Sequence, residues 1–260
     1  MAQFFFDEMF TALLASPRYY DQYGTKEPTD RLNTLFAFSH GRPGVSVWDD
    51  LSSDSPSRME NFMGAMKVMD THPFIEPYSL DWAVSAAAAD ESRAVVVDVG
   101  GGYGHALKGM AKSTPGLALD RCVLEDLPEV VDATKAVGDP DLAGVKFVGM
   151  DFHKEQPVKK ALVYYFRRIL HDYSDDECIE ILRLTADVMG TDSRVLMVEL
   201  VLTDPPSIFP AMSNVVMTNI SGKERTLDGF RGIIVRAGLT LVKAHEVAGT
   251  DVGIIECAKA

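Results

Sequence analysis

The hydrophobic positions of this chain change their spacing near residue 94. From there onward, short apolar runs rich in β-branched residues alternate with stretches of helical spacing. This alternation predicts crossover units, in which helices cover both faces of a largely parallel sheet. Two further apolar runs close the chain and predict an antiparallel pair of strands. The predicted strands occupy residues 94–99, 118–124, 145–149, 161–166, 194–200, 239–247 and 252–258.

The part of the chain before residue 94 is predicted to be helical. Helical spacing of apolar residues is found at residues 3–14, 59–69 and 78–89. Residues 23–57 are rich in Pro, Gly, Ser and Asp, which predicts loops with short turns. We therefore expect a helical region at residues 1–75 and an α/β domain at residues 76–260. The dense apolar face of the first helix packs either on its own domain or on a partner chain.

A glycine turn follows the first predicted strand. Asp98 stands near the end of this strand, and His105 begins the next helical stretch. Glycines let a backbone approach a ligand closely and adopt dihedral angles closed to other residues. Such a strand-to-helix turn is typical of nucleotide cofactor sites, but His105 stands where a dinucleotide fingerprint has its third glycine. An NAD-dependent oxidoreductase is therefore a disfavoured alternative. The glycines of the turn are Gly100, Gly101, Gly102 and Gly104.

Acidic residues follow the next two predicted strands. Ligands of an open α/β sheet bind at the carboxyl ends of its strands, so these residues are candidate cofactor ligands. Asp126, followed by Leu127, can accept hydrogen bonds from both hydroxyls of a ribose. Asp151 and Phe152 end the third strand, where an acid and an apolar ring can hold an adenine.

The fourth predicted strand leads through Arg167 to His171. A phenol with a pKa near ~10 is a poor nucleophile at neutral pH, whereas a histidine with a pKa near ~6.5 can remove its proton. His171 is therefore a candidate general base. The alternative is a capping or packing histidine, because a capping box at residues 174–177 begins the next predicted helix. Asp172 is expected to brace this turn.

Several motifs occur together in one order along the chain. The set resembles the class I S-adenosylmethionine-dependent O-methyltransferases of plant and fungal secondary metabolism. The resemblance implies a Rossmann-like doubly wound sheet, mainly parallel with an antiparallel C-terminal strand, preceded by a short helical segment. It also implies S-adenosylmethionine as cofactor, S-adenosylhomocysteine as product and no metal. The matching stretches are 98–104, 125–131, 151–152, 167–175, Glu199, 222–226 and 253–256.

The same resemblance implies roles for individual residues. In this family a histidine at the position of His171 is the general base, and acids at the positions of Glu199 and Glu224 flank it. The alternative interpretation of Glu199 is a structural role. For Glu224 the alternative is a surface ion pair, because Lys223 and Arg225 adjoin it in the sequence. The substrate is expected to be a hydroxylated aromatic or polyketide-like small molecule. Cofactor contacts are expected at Asp98, Gly100, Gly101, Gly102, Asp126, Leu127, Asp151, Phe152 and Arg167.

The chain departs from the family's pattern in three places. Relatives usually carry a further N-terminal winged-helix-like domain that makes the dimer and closes over the partner's pocket. We expect a homodimer, or a partner chain, to use the N-terminal helices of this chain. Tyr173 replaces the family's usual tryptophan, and Asn214 stands where an aspartate is usual.

The net charge and the cysteines of the chain indicate which partners and which cell compartment to expect. The net charge of -13 disfavours nucleic acid and anionic membrane surfaces as partners. Three widely spaced cysteines predict free thiols in a reducing compartment, and with no signal peptide or spanning segment recognised we expect the cytoplasm. Two other functions stay open: a protein that binds S-adenosylmethionine but catalyses a non-methylating reaction, and a truncated or regulatory subunit that needs a partner.

Overall fold

The computed structural model describes residues 2–53, 56–69, 75 and 77–260, which divide into two compact units. The predicted domain boundary falls at residue 76, outside the described residues, so that division stays a prediction. The first unit comprises Met1–His72, His171–Ser174 and Leu202–Glu224. The second unit comprises Pro73–Leu170, Asp175–Val201 and Arg225–Ala260.

The first unit is mostly helical, and in the second unit helices alternate with strands along the chain. Within the described residues, no helix combines the length and apolar character that crossing a bilayer requires. The helices are α1 (Ala2–Phe4), α2 (Phe10–Tyr23), α3 (Leu35–Ser39), α4 (Val47–Ser53), α5 (Pro56–Met69), α6 (Asp81–Ala87), α7 (His105–Ser113), α8 (Pro128–Val137), α9 (Asp175–Val188), α10 (Ile208–Met217) and α11 (Leu227–Arg236).

The second unit is built on one sheet. The strands found in the described residues are β1 (Val96–Val99), β2 (Cys122–Asp126), β3 (Lys146–Gly149), β4 (Val163–Arg167), β5 (Arg194–Leu202), β6 (Arg225–Thr226), β7 (Leu239–Glu246) and β8 (Val252–Lys259). Their order is β3-β2-β1-β4-β5-β8-β7, with β6 paired to β5. Strands β1 to β5 pair in parallel, and β8 is antiparallel to both β5 and β7. The predicted fold class is confirmed.

The order of the strands places the candidate site. From β1 the chain adds β2 and β3 on one side of the sheet and then returns to add β4 and β5 on the other side of β1. The strand order therefore reverses between β1 and β4. Ligands of doubly wound sheets bind at this switch point, beyond the carboxyl ends of the strands. Strand β1 is fully buried, which explains the valines at its start and makes Asp98 a buried acid.

The first unit has its own hydrophobic core, which includes Phe36 and Leu51. A five-residue π-helical turn, Phe5–Met9, leads directly into α2. The prediction of loops at residues 23–57 is wrong in part, because α3 and α4 form there. Thr34 caps α3 by accepting the N–H of Ala37 at 3.0 Å, and burial of Phe36 then outweighs the turn-forming composition around it.

The three cysteines lie inside the second unit. Cys122 of β2, Cys178 of α9 and Cys257 of β8 are free and buried. Burial raises the pKa of each thiol to about 12. The thiolate is the reactive form of cysteine, so these side chains act as small apolar groups in the native protein.

Candidate functional site

The turn after β1 has a backbone that favours glycine. Gly100, Gly102 and Gly104 have φ angles of 71°, 53° and 71°, in the left-handed region. At Gly101 the constraint is space instead, because a Cβ would lie 2.8 Å from Oδ2 of Asp98. The turn therefore favours glycine at three positions by dihedral angle and at Gly101 by space, while its close approach to a ligand stays a prediction.

The amide groups of this turn bind to the protein itself. The N–H groups of Gly100 and Gly101 donate to the carbonyl oxygen of Glu125 at 2.8 and 3.0 Å. The N–H of Gly102 donates to Oδ2 of Asp126 at 2.8 Å. These three donors are therefore already satisfied, whereas a pyrophosphate-binding turn directs its donors at the ligand.

Asp98 is a buried acid beside the turn. Its Oδ2 has no hydrogen-bond partner among the described residues. Burial raises the pKa of this carboxyl to about 7, opposed by Arg167 and assisted by Asp126 and Glu125. A buried carboxylate without a partner is costly, and a cationic ligand at this position would offset that cost.

Asp126 is held in one orientation at the end of β2. Besides Gly102, it accepts the N–H of Leu127 through Oδ1 at 2.8 Å. Burial raises the pKa of Asp126, and these two N–H groups act against that rise. The structure therefore brings the predicted ribose acid to the glycine turn, with each carboxylate oxygen retaining a lone pair for a ligand.

Phe152 and Asp151 follow β3. A Cβ added to Gly100 would lie 3.8 Å from Cε1 of Phe152, so this ring is adjacent to the turn. Asp151 accepts the N–H of His153 at 3.0 Å and pairs with Lys154 at 3.0 Å. Both residues thus lie at the predicted edge of the sheet, although the Asp151 carboxylate is partly occupied by its own loop.

Glu199 of β5 is fully buried in the second unit and binds backbone. Its Oε1 accepts the N–H groups of Ile169 and Leu170 at 3.0 and 2.9 Å. Nη1 of Arg168, whose φ is 55°, lies 3.9 Å from Oε2. These contacts hold the backbone of residues 169 and 170, and Leu170 directly precedes the candidate base in the sequence.

His171 lies between two carboxylates of the first unit. Its Nδ1 is 3.2 Å from Oε1 of Glu224, and its Nε2 is 3.3 Å from Oδ1 of Asp172. The ring is buried, with a side chain that is 9% exposed. Because a carboxylate faces each ring nitrogen, the two acids compete for the single proton of the neutral ring.

Glu224 is a buried acid, so the interpretation as a surface ion pair is wrong. Its side chain is completely shielded from solvent. The two basic neighbours bind elsewhere: Lys223 lies 3.4 Å from Glu27, and Arg225 lies 2.8 Å from Asp175. The alternating charges around residue 224 therefore point to different partners.

Helix α10 contributes two contacts that sequence reasoning missed. Oγ of Ser213 donates to Oε1 of Glu224 at 2.6 Å. Oδ1 of Asn214 accepts the backbone N–H of Glu224 at 2.9 Å. Asn214 is notable in the sequence only as a departure from the family's aspartate, and no sequence signal singles out Ser213.

The fold and the glycine turn define a Rossmann-like protein with a candidate cofactor site at this edge of the sheet, and comparison with known proteins gives the family. A model of the O-methyltransferase domain matches residues 28–240. The chain therefore belongs to the O-methyltransferase domain family. A curated relative, the methyltransferase cfoD of Aspergillus candidus, is 33% identical over 98% of this chain and 65% of its own length. The chain thus spans about two thirds of that relative.

Solved structures with the same fold include complexes with the cofactor or its product. LepI in complex with SAM matches 98% of this chain and 65% of its own, with a TM-score of 0.85 and 26% identity. OxaC in complex with SAH and oxaline gives 98%, 64%, 0.88 and 26% for the same quantities. A structure described as a pericyclic reaction enzyme gives 98%, 66%, 0.85 and 26%.

Proposed function

We propose that this chain is an S-adenosylmethionine-dependent O-methyltransferase that acts on a hydroxyl of an aromatic or polyketide-like small molecule. The observation that carries the proposal is the buried contact of 3.2 Å between Nδ1 of His171 and Oε1 of Glu224, in a chain of this family. The likeness to OxaC, whose complex contains oxaline, supports a small-molecule acceptor. S-Adenosylhomocysteine is the expected product.

The proposed cofactor site is the edge of the sheet beyond β1 and β2. S-Adenosylmethionine carries a sulfonium and an ammonium group, one carboxylate and no phosphate. This suits a buried Asp98, whose Oδ2 has no hydrogen-bond partner among the described residues, beside a turn in which the amides of residues 100–102 are already satisfied. When bound, the cofactor supplies an activated methyl group on a sulfonium sulfur. The residues proposed to hold it are Asp98, Gly100, Gly101, Gly102, Asp126, Leu127, Asp151, Phe152 and Arg167.

The proposed general base is His171. Glu224 accepts a hydrogen bond from Nδ1–H, which fixes the ring in the tautomer whose unprotonated Nε2 can remove the proton of an acceptor hydroxyl. Asp172 stabilises the imidazolium that results but must first release Nε2 to the acceptor. We assign Glu199 to the same machinery, with a positioning role through the backbone of residues 169–170.

The test is methyl transfer to a panel of phenolic acceptors, followed by product mass. We expect His171→Ala to lower turnover by at least ~100-fold, the usual range for loss of a general base, and to leave the affinity for S-adenosylmethionine unchanged. His245→Ala is the matched control, because His245 also contacts a carboxylate, Glu256, at 3.0 Å. Unchanged methyl transfer by His171→Ala would refute the assignment.

A second candidate function is supported by the likeness to the pericyclic reaction enzyme. In this alternative the cofactor binds and stabilises charge, while the substrate undergoes a dehydration or pericyclic step without gaining a methyl group. Unrelated chemistry does occur on shared folds. Product mass separates the two candidates, because only methyl transfer adds one carbon and two hydrogens to the acceptor.

We also propose a partner and a location. Phe6, Phe10 and Leu14, spaced four residues apart, are 67%, 43% and 83% exposed, so this apolar stripe suits a second copy of the chain or a partner chain. Free cysteines suit the proposed cytoplasmic location. Light scattering during size-exclusion chromatography tests the first point, since an active monomer would exclude the need for a partner.

A further inference from the structure

Helix α10 holds Glu224 at two points. The hydroxyl of Ser213 donates to the carboxylate oxygen Oε1, and the side-chain oxygen of Asn214 accepts the backbone N–H of the same residue. The distance of 2.6 Å for the Ser213 contact is typical of a charge-assisted O–H···O⁻ bond, which is about twice as strong as a neutral one. Both the backbone and the carboxylate of Glu224 are therefore fixed by consecutive residues of one helix.

The orientation of Glu224 decides which tautomer of His171 is available. A neutral imidazole carries one proton, which it donates either from Nδ1 to Glu224 or from Nε2 to Asp172. Only the first tautomer leaves Nε2 as an acceptor for a substrate proton. Since the two carboxylates lie at nearly equal distances, 3.2 and 3.3 Å, a small change in either one shifts this equilibrium.

We propose that Ser213 is a positioning residue that keeps Glu224 against Nδ1 of His171 and so selects the tautomer that can act as a base. The inference deepens the proposed function and rests on it. Ser213 donates to the same oxygen, Oε1, that faces Nδ1. Without that hydroxyl, the Glu224 carboxylate can turn away from the ring, and Asp172 then draws the proton to Nε2.

The first test is spectroscopic and needs no substrate. Long-range ¹H–¹⁵N spectra of the uncomplexed full chain distinguish protonated from unprotonated imidazole nitrogens, and the His171→Gln spectrum identifies its signals among the six histidines. At a pH where the ring is neutral, we expect the Nδ1–H tautomer to predominate in the wild type. Ser213→Ala should shift the population toward Nε2–H, and Ser213→Thr, which retains a hydroxyl, should restore it.

The second test is kinetic. We expect Ser213→Ala to lower kcat about tenfold, which corresponds to ~1.4 kcal/mol, with the KM for S-adenosylmethionine unchanged. Ser39→Ala is the matched control, because it also removes a partly buried hydroxyl of the first unit, one that bonds to the carbonyl oxygen of Phe36 at 2.8 Å. The control should retain wild-type kcat and the wild-type tautomer.

Each contrary result has a distinct meaning. A wild-type tautomer population and kcat in Ser213→Ala would overturn the positioning role, as would equal losses in the Ser39→Ala control. If the wild type transfers no methyl group, the proposed function fails, while the spectra still decide whether Ser213 orients the pair. The two failures are therefore distinguishable.

Discussion

Substituting Gly222 with alanine should displace the candidate base while leaving the cofactor turn untouched. An added Cβ would overlap the carbonyl oxygen of His171 and lie 2.8 Å from the carbonyl carbon of Asp172. These neighbours are backbone atoms, which cannot rotate away as a side chain could. The φ angle of Gly222 is not among the positive values, so the effect is purely steric.

The size of the effect follows from the required shift. Ordinary contacts to a Cβ begin near 3.4 Å, so the carbonyl carbon of Asp172 must move by roughly half an ångström. The overlapping carbonyl oxygen of His171 lies closer and must move by ~1 Å. A displacement of ~1 Å at reacting groups costs ~100-fold in rate. Overpacking costs about 1–3 kcal/mol, which corresponds to a Tm lower by roughly 2–12 °C in a chain of this size.

The assay combines kcat from methyl transfer, the Kd of S-adenosylmethionine from calorimetry, and Tm. We expect a fall in kcat with an unchanged Kd, because the three atoms nearest to the added Cβ belong to His171 and Asp172 and none of them to the cofactor turn. The control is Gly232→Ala in α11, where nothing lies within 4 Å of the added Cβ. Wild-type kcat in Gly222→Ala, or a parallel loss of cofactor affinity, would refute this reasoning.

Two further predictions concern the cofactor edge. Asp126→Ala removes the acceptor of the Gly102 and Leu127 N–H groups, so we expect the affinity for S-adenosylmethionine to fall at least ~100-fold in calorimetry. The control is Asp132→Ala at an exposed position, which should bind the cofactor like the wild type. Asp98 has a folded-state pKa raised to about 7, so its destabilising effect grows as pH rises from about 4 to 7 and is complete above that. At pH 8, Asp98→Asn should therefore have a free energy of unfolding higher than that of the wild type by ~4 kcal/mol at most, measured by urea denaturation. The difference should vanish near pH 4. Because Asp98 is about half protonated at pH 7, cofactor binding to the wild type at this pH should release up to about half a proton per chain. Equal binding enthalpies in buffers of different ionisation enthalpy would contradict this.

Much of the sheet can be predicted from the sequence. The predicted strand at 194–200 corresponds to Arg194–Leu202, and the predicted pair at 239–247 and 252–258 corresponds to Leu239–Glu246 and Val252–Lys259. Buried strands have a continuous apolar run, so their existence is strongly signalled even when their ends shift by a few residues. Strand β6 has two residues and carries no such signal.

The contacts of the candidate base are a different matter. The motifs that contain His171 and Glu224 could be recognised from the sequence. The hydrogen bond from Ser213 to Glu224 could not, because a single serine on a helix belongs to no repeating pattern or motif. Glu199 shows the same limit. Its backbone contacts follow a left-handed residue, Arg168. The sequence does not predict this conformation, because non-glycine residues rarely adopt it.

The buried thiols give the protein a built-in reporter of its own opening. A maleimide can react with Cys122, Cys178 or Cys257 only in molecules where the surrounding segment has transiently opened. The three positions sample strand β2 in the parallel part of the sheet, helix α9, and strand β8 in the antiparallel part. Equal labelling rates, followed by mass spectrometry of the peptides, would mean that these layers open as one cooperative block. Unequal rates would rank them by local stability without any engineered probe.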